Sequence, residues 1–276
     1  MRPAPSASRV EPSPDSPSPT LLVVCAHGTA DPRGRAAVGG LVAAVRRLTA
    51  HAARAGPWGT SAEVSVRAAY VDVQPPTPDR VLAVIADGIV LHPVVPPPVV
   101  LVPLLLVRGY HTRVDLGGVA ASRPGVLVAS PLGAGAEVVE VLAARCRAAA
   151  GAPRPGDQVI LAAAGSSDPR VPAEIDRVAE AFSRRTGWPT RPAYLRAAEP
   201  LLPDAVAAAR AHAGVGRVIV ATHLLAPGVL ADKVAACGAD VVTAPLLASR
   251  PDGATRLLAA AVLARCRAVQ VNNGVR

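Results

Sequence analysis

The sequence predicts an α/β protein of two tandem, similar modules, each a mainly parallel sheet with helices on both faces, and three observations carry that prediction. Short apolar runs alternate with longer helical segments from Thr20 onward, the signature of parallel strands joined by crossover helices. The chain of 276 residues is 51% hydrophobic but only 2% aromatic. Its cores must therefore be built of Val, Leu and Ala, which suits buried parallel strands flanked by helices. Finally, the second half of the chain repeats the order and local motifs of the first.

Element by element, "LLVVC" (21–25) reads as a buried strand, and "GRAAVGGLVAAVRRLTAHAAR" (34–54) as a helix that ends before the turn residues "GPWG". "EVSVRAAYV" is the second strand, and "TPDRVLAVIA" a helix with Pro near its first turn. "VVLVPLLL" is the third strand and its exit. "GVLVASPL" is the fourth, followed by the helix "GAEVVEVLAARCRAAA". The Gly/Pro-rich stretch "GAPRPGDQ" (151–158) is a linker, after which the pattern restarts.

The restart carries recognisable copies. "LLVVCAHGTADPR" aligns with "VILAAAGSSDPR", so that Gly28 matches Gly165, Asp31 matches Asp168 and Pro32 matches Pro169. "AYVDVQPPTPD" aligns with "AYLRAAEPLLPD" across a small gap, and "LVPLLLVRGY" resembles "VATHLLAPGV". Under this alignment His27 becomes Ala164, Asp72 becomes Arg196 and His111 becomes Leu230. The second copy keeps the fold signals and loses the polar side chains, so the first carries the site. The expected organisation is a Pro/Ser-rich disordered tail (1–19), a module bearing the active site (20–150), the linker (151–158), a degenerate second module (159–267) and a C-terminal tail (268–276).

Composition excludes several classes. Pro and Arg break the richest apolar region, "VLHPVVPPPVVLVPLLLVRGYH", below the roughly 20 uninterrupted apolar residues of a membrane helix. The net charge is +9, almost all of it arginine. Those arginines are scattered and stacking aromatics are nearly absent, which argues against nucleic acid. Four widely spaced cysteines form no CxxC pair, so neither a zinc site nor a disulfide framework is expected, and a reducing cytoplasm fits. "GTADPRG" has neither dinucleotide nor P-loop spacing.

Chemistry concentrates where strands end, since ligands of parallel α/β sheets bind outside the carboxyl ends of the strands. His27, Asp72 and His111 all lie just past such ends. Two imidazoles and a carboxylate suit a divalent transition metal and equally suit proton removal near neutral pH. Taken alone, Asp72 reads as a cap or turn residue, and Cys25 as a small buried thiol rather than a ligand. His223, at a strand end of the second module, has a supporting or ligand-contacting role open to it.

Together, "AHGTADPRG", "AYVDVQPPTP" and "VPLLLVRGYHTRVDL" resemble the class II chelatases of the CbiX and SirB type, the sirohydrochlorin ferrochelatases and cobaltochelatases, in their long two-module form. The resemblance runs from Leu21 to about Arg267. It implies insertion of a divalent metal, Fe²⁺ first and Co²⁺ or Ni²⁺ after it, into sirohydrochlorin, a reduced tetrapyrrole bearing carboxylates. It implies a cleft between the modules, His27 and His111 as metal-binding bases, and Asp72 where the family more usually has glutamate. Gly28, Thr29, Arg33, Arg35, Arg108, Gly109 and Arg113 flank the motifs and are the expected substrate contacts. No permanent cofactor is implied, because the metal is itself a substrate. Internal duplication implies a monomer, with no nucleic-acid or membrane partner. The alternative is a non-catalytic tetrapyrrole or metal carrier on the same fold.

Overall fold

A computed structural model describes residues 20–55, 64–90, 98–107, 116–212 and 214–273. The first module runs β1 (Thr20–Ala26), α1 (Pro32–Ala55), β2 (Val64–Tyr70), α2 (Pro78–Val90), β3 (Val99–Pro103), α3 (Leu116–Ala121), β4 (Val126–Val128) and α4 (Ala136–Ala150). The second repeats it as β5 (Gln158–Ala163), α5 (Val171–Thr186), β6 (Thr190–Tyr194), α6 (Leu202–Ala211), β7 (Val218–His223), α7 (Val229–Ala235), β8 (Val241–Val242) and α8 (Gly253–Asn272). The two sheets have the same order, β2-β1-β3-β4 and β6-β5-β7-β8, and every pairing is parallel. The predicted α/β architecture is therefore the observed one.

Strand burial explains the sequence pattern. All seven residues of β1 are buried, because helices cover the central strand on both faces. Its odd and even residues go to different cores. Leu22, Val24 and Ala26 join one continuous core that also takes Val159, Leu161 and Ala163 of β5, together with residues of α1, α4, α5 and α8. Leu21, Val23 and Cys25 pack outward with Leu82 and Leu116. Ile160 and Ala162 pack outward in the second module with Leu202 and Val206. Two outer cores thus flank one central core shared by both modules.

The central core is assembled by an exchange. α4, at the end of the first module, packs on α5 and against β7 and β8 of the second, while α8 packs on α1 and against β3 and β4 of the first. Each sheet is completed by its partner's last helix. Arg145 of α4 donates from Nη2 to the Leu246 carbonyl (2.9 Å) and pairs with Asp252 (2.7 Å), and Arg265 of α8 donates from Nε to the Pro131 carbonyl (3.0 Å).

Two elements differ from expectation, and a third, the strand and exit expected over 99–106, divides at a definite residue. The apolar run 99–106 stops being strand at Pro103, whose ring removes the backbone donor a ladder needs; 104–107 leave the sheet and face a cavity. α3 gave no periodic signal, because its sequence "LGGVAA" holds two glycines and barely two turns. The expected C-terminal tail is helix as far as Asn272, held where the Gln270 amide donates to Thr20 Oγ1 (2.8 Å) and ties the last turn to β1. Among the described residues no helix is long and apolar enough to cross a membrane.

Candidate active site

In a sheet ordered β2-β1-β3-β4 the chain reverses its winding between β1 and β3, so the loops leaving these strands splay apart and open a crevice. His27 is the first residue past β1, and 104–107 are the first past β3. The β1 loop is fixed by backbone strain and hydrogen bonds. Gly28 has φ +97°, and a Cβ there would run into the Asp72 carbonyl oxygen, so no other residue fits. The Val71 and Asp72 amides donate to the Ala26 and His27 carbonyls (3.0 and 2.9 Å), which sets residues 27 and 72 side by side. The Asp31 amide donates to Thr29 Oγ1 (3.1 Å), and the Thr29 amide donates to Gln74 Oε1 (3.1 Å).

His27 stands exposed at the junction of two cavities. One, of about 420 Å³, lies between His27, the 104–107 segment and the second module's strand-end loops at 163–167, 196–197 and 223–225. The other, of about 350 Å³, lies between the β1 loop with Tyr70 and Gln74 and the second module's segment 224–231. Together they form a cleft between the modules, with the carboxyl ends of both sheets opening onto it.

The second module copies this construction. Gly165 has φ +82°, and its Cβ would run into the Arg196 carbonyl oxygen as that of Gly28 would into Asp72's. The Leu195 amide donates to the Ala163 carbonyl (3.0 Å), the Asp168 amide donates to Ser166 Oγ (3.1 Å), and Val73 and Ala197 both sit at positive φ, 63° and 58°. The sequence correspondence of His27 with Ala164 and of Asp72 with Arg196 is thus a correspondence in space.

A family model matches residues 21–149 and again 158–269, described as CbiX. The chain belongs to the CbiX family. Both modules carry the family pattern, including the copy without the histidines. No curated protein matches the sequence. Among solved structures the chain is similar to SirB from Bacillus subtilis with Fe³⁺, at 17% identity and TM-score 0.71, covering 93% of this chain and 97% of that one. It is likewise similar to the sirohydrochlorin chelatase SirB from Bacillus subtilis subspecies spizizenii in complex with cobalt, at 17% identity and TM-score 0.64, covering 92% and 96%. DR2241 from Deinococcus radiodurans, a multi-domain protein with structural similarity to chelatases, matches at 19% identity and TM-score 0.59 over 90% of this chain and 54% of that one. At such identities the likeness is one of fold.

The expected site residues fall into three groups. His27, Gly28 and Thr29 line the cleft. Arg108, Gly109, His111 and Arg113 lie outside the described residues, and among the described residues no three His, Cys, Asp or Glu side chains gather as a metal ligand set. The remaining residues are tied to protein partners. Arg33 forks onto Asp31 (2.7 Å) and reaches Asp232 of α7 (2.6 Å), and its hydrogen bonds hold the Asp31 carboxyl down at about 2. Arg35 donates from Nε to the Thr29 carbonyl (2.8 Å). With Asp31 and Asp232 as its acceptors, Arg33 bridges the modules. Asp72 Oδ1 accepts from the Val73 amide (2.7 Å), the turn role that Asp72 suggests in isolation.

Two residues add to the site. Gln74, which the motif reading passes over, props the Thr29 loop and lines the cleft. His223 lies in the cavity wall only 2% exposed, and burial pushes its imidazole down to about 4, so it is neutral at pH 7. Cys25 is buried, and desolvation raises its thiol to about 12; it stays protonated, as a core residue rather than a ligand.

Proposed function

We propose that this chain is a sirohydrochlorin chelatase, inserting a divalent first-row metal into the macrocycle. Fe²⁺ is the first candidate, with Co²⁺ and Ni²⁺ as competitors that ligand type alone does not separate. The observation that carries the reading is His27. It is an exposed imidazole on the CbiX motif, held at a glycine-strained turn where two cavities of one inter-module cleft meet. One chain supplies both walls, so a monomer suffices.

Insertion requires that two pyrrole protons leave as the metal enters. A neutral imidazole at the rim binds a borderline metal through a ring nitrogen and accepts a proton near neutral pH. In this reading His27 takes the incoming ion and one of the protons, and His111, the histidine of the second motif, shares both tasks. Asp72, whose amide is bonded to the His27 carbonyl, adds negative charge beside the imidazole as cationic metal and proton arrive. Arg108 and Arg113 are the flanking arginines proposed to meet ring carboxylates. The apolar 104–107 segment forms a dry wall against which a macrocycle face can stack.

The test is anaerobic absorbance of sirohydrochlorin with Fe²⁺ or Co²⁺, comparing wild type, His27→Ala and no protein. Metal-dependent conversion above the blank and lost in His27→Ala is the expected result. Tight macrocycle binding without faster conversion replaces the chelatase reading with a carrier.

A further inference from the structure

Facing His27 across the larger cavity stand the second module's strand-end loops, and there the chemistry has been reversed rather than erased. At the position that carries Asp72 in the first module, with the same glycine contact below it and the same positive-φ residue after it, the second module carries Arg196. An anionic arm has become a cationic one at an equivalent place in the fold. Arg196 lines the cavity together with His27. Arginines elsewhere in the fold that carry structural ion pairs are held by protein acids, Arg33 by Asp31 and Asp232, Arg170 by Asp168, Arg145 by Asp252 and Arg217 by Asp157, and none of these four lines this cavity. Arg196 makes no such pair among the described residues.

Its neighbours in the same wall supply hydrogen-bond capacity. Ser166 Oγ accepts from the Asp168 amide, which leaves its hydroxyl proton to be donated elsewhere, and Ser167 sits exposed beside it. A separate observation points to a ligand. His223 pairs in register with Ala163 on β7, lines this cavity at 2% exposure, and its Nε2 is buried with no hydrogen-bond partner. A buried ring nitrogen left unpartnered is costly. The ring is part of the cavity wall, so a polar group entering from the cavity, with a small shift of that wall to uncover Nε2, would satisfy it.

We propose that the degenerate module is a carboxylate-binding subsite for the macrocycle, with Arg196 as the charged arm, the Ser166 and Ser167 hydroxyls as donors and His223 as the buried polar partner. The proposal rests on the chelatase reading and deepens it: one module handles metal and protons while the other grips the acidic rim of the same substrate. An arginine fork suits this task, because it meets a carboxylate through two parallel hydrogen bonds and stays charged at any working pH. A ring held by its carboxylates on the second-module wall presents its centre to His27.

The experiment is equilibrium binding of metal-free sirohydrochlorin to the full chain, followed by its fluorescence, for wild type, Arg196→Gln, Arg196→Glu, the double variant Ser166→Ala/Ser167→Ala, and Arg184→Gln. Arg184 is an exposed arginine of α5, paired with Glu180 and away from the cleft, so its loss controls for net charge. The expected result is roughly 10-fold weaker binding for Arg196→Gln and a larger loss for Arg196→Glu, with the wild-type advantage shrinking as salt is raised. The serine pair should lose about 3-fold, and Arg184→Gln should bind as wild type. Macrocycle binding undiminished in both Arg196 variants, or an equal loss in Arg184→Gln, overturns the subsite and leaves the chelatase reading standing. A wild-type chain that does not bind the macrocycle overturns both.

Discussion

The β1 and β5 loops are one backbone with two chemistries. Each turns at a positive-φ glycine pressed against the carbonyl of the second residue after the neighbouring strand, each caps its Asp amide with a hydroxyl, and each folds an arginine back on that Asp. Yet one displays a histidine beside an aspartate, and the other an alanine beside an arginine. The strained turn persists because removing it would break the strand-end hydrogen bonds that hold the sheet edge. The exposed side chains contribute little to folding and are free to be exchanged. Fold and chemistry are thus carried by different residues of the same few positions.

The largest expected break in the comparison comes from the side chain that the two loops do not share. His27→Ala should lower metal insertion by about 10²-fold or more, the scale of a lost acid–base group. The double variant His27→Ala/Ala164→His should stay as low, because it places the imidazole on the second module's wall of the cavity instead of at the β1 turn. Stopped-flow absorbance decides it, and recovery in the double variant would show the two loops to be interchangeable. Next come the shared glycines. Gly28→Ala and Gly165→Ala should each cost about 3–4 kcal/mol in chemical denaturation, since both meet a carbonyl and sit at positive φ. If one were tolerated, the equivalence of the turns would fail.

A third difference is a matter of pH. His223 occupies the place of Leu104, as the pairing of Thr222 with Ala162 and of Pro103 with Cys25 requires. Its imidazole is held at about 4 by burial, below the usual value of 6.5, so the unfolded chain binds the extra proton. Stability is therefore fully present above about pH 6.5 and is lost as pH falls toward 4, by up to about 3 kcal/mol. His223→Leu, which restores the first module's residue, should flatten that window in urea titrations between pH 4 and 7. The smallest effect separates the two arginine folds. Arg33 reaches across to Asp232, whereas Arg170 has no such partner among the described residues. Both members of the Arg33–Asp232 pair are half-exposed, so Asp232→Asn should cost under about 1 kcal/mol and nothing at high salt, as thermal melts at two ionic strengths would show.

The site was legible in part. The histidine motifs stand out because they interrupt small, turn-forming residues at strand ends, and His27 sits where that placement predicts. The pairing of Arg33 with Asp232 was not legible, because a basic residue next to a motif looks the same whether it meets a substrate carboxylate or an aspartate of the other module. Gln74 was silent because an amide propping a loop has no sequence signature.

What the sequence determined by itself was local and periodic: the order of strands and helices, the parallel sheets, the duplication, and the glycine turns that repeat with it. These follow from side-chain alternation and from backbone conformations only glycine reaches, both written in short windows. What only the tertiary structure decided was the partnering. α4 and α8 each advertise an apolar face, but hydrophobic burial has no direction and does not say which sheet will cover it. The exchange of those two helices joins the repeats around one core and brings their strand ends to a common cleft, and with it the facing of Arg196 toward His27.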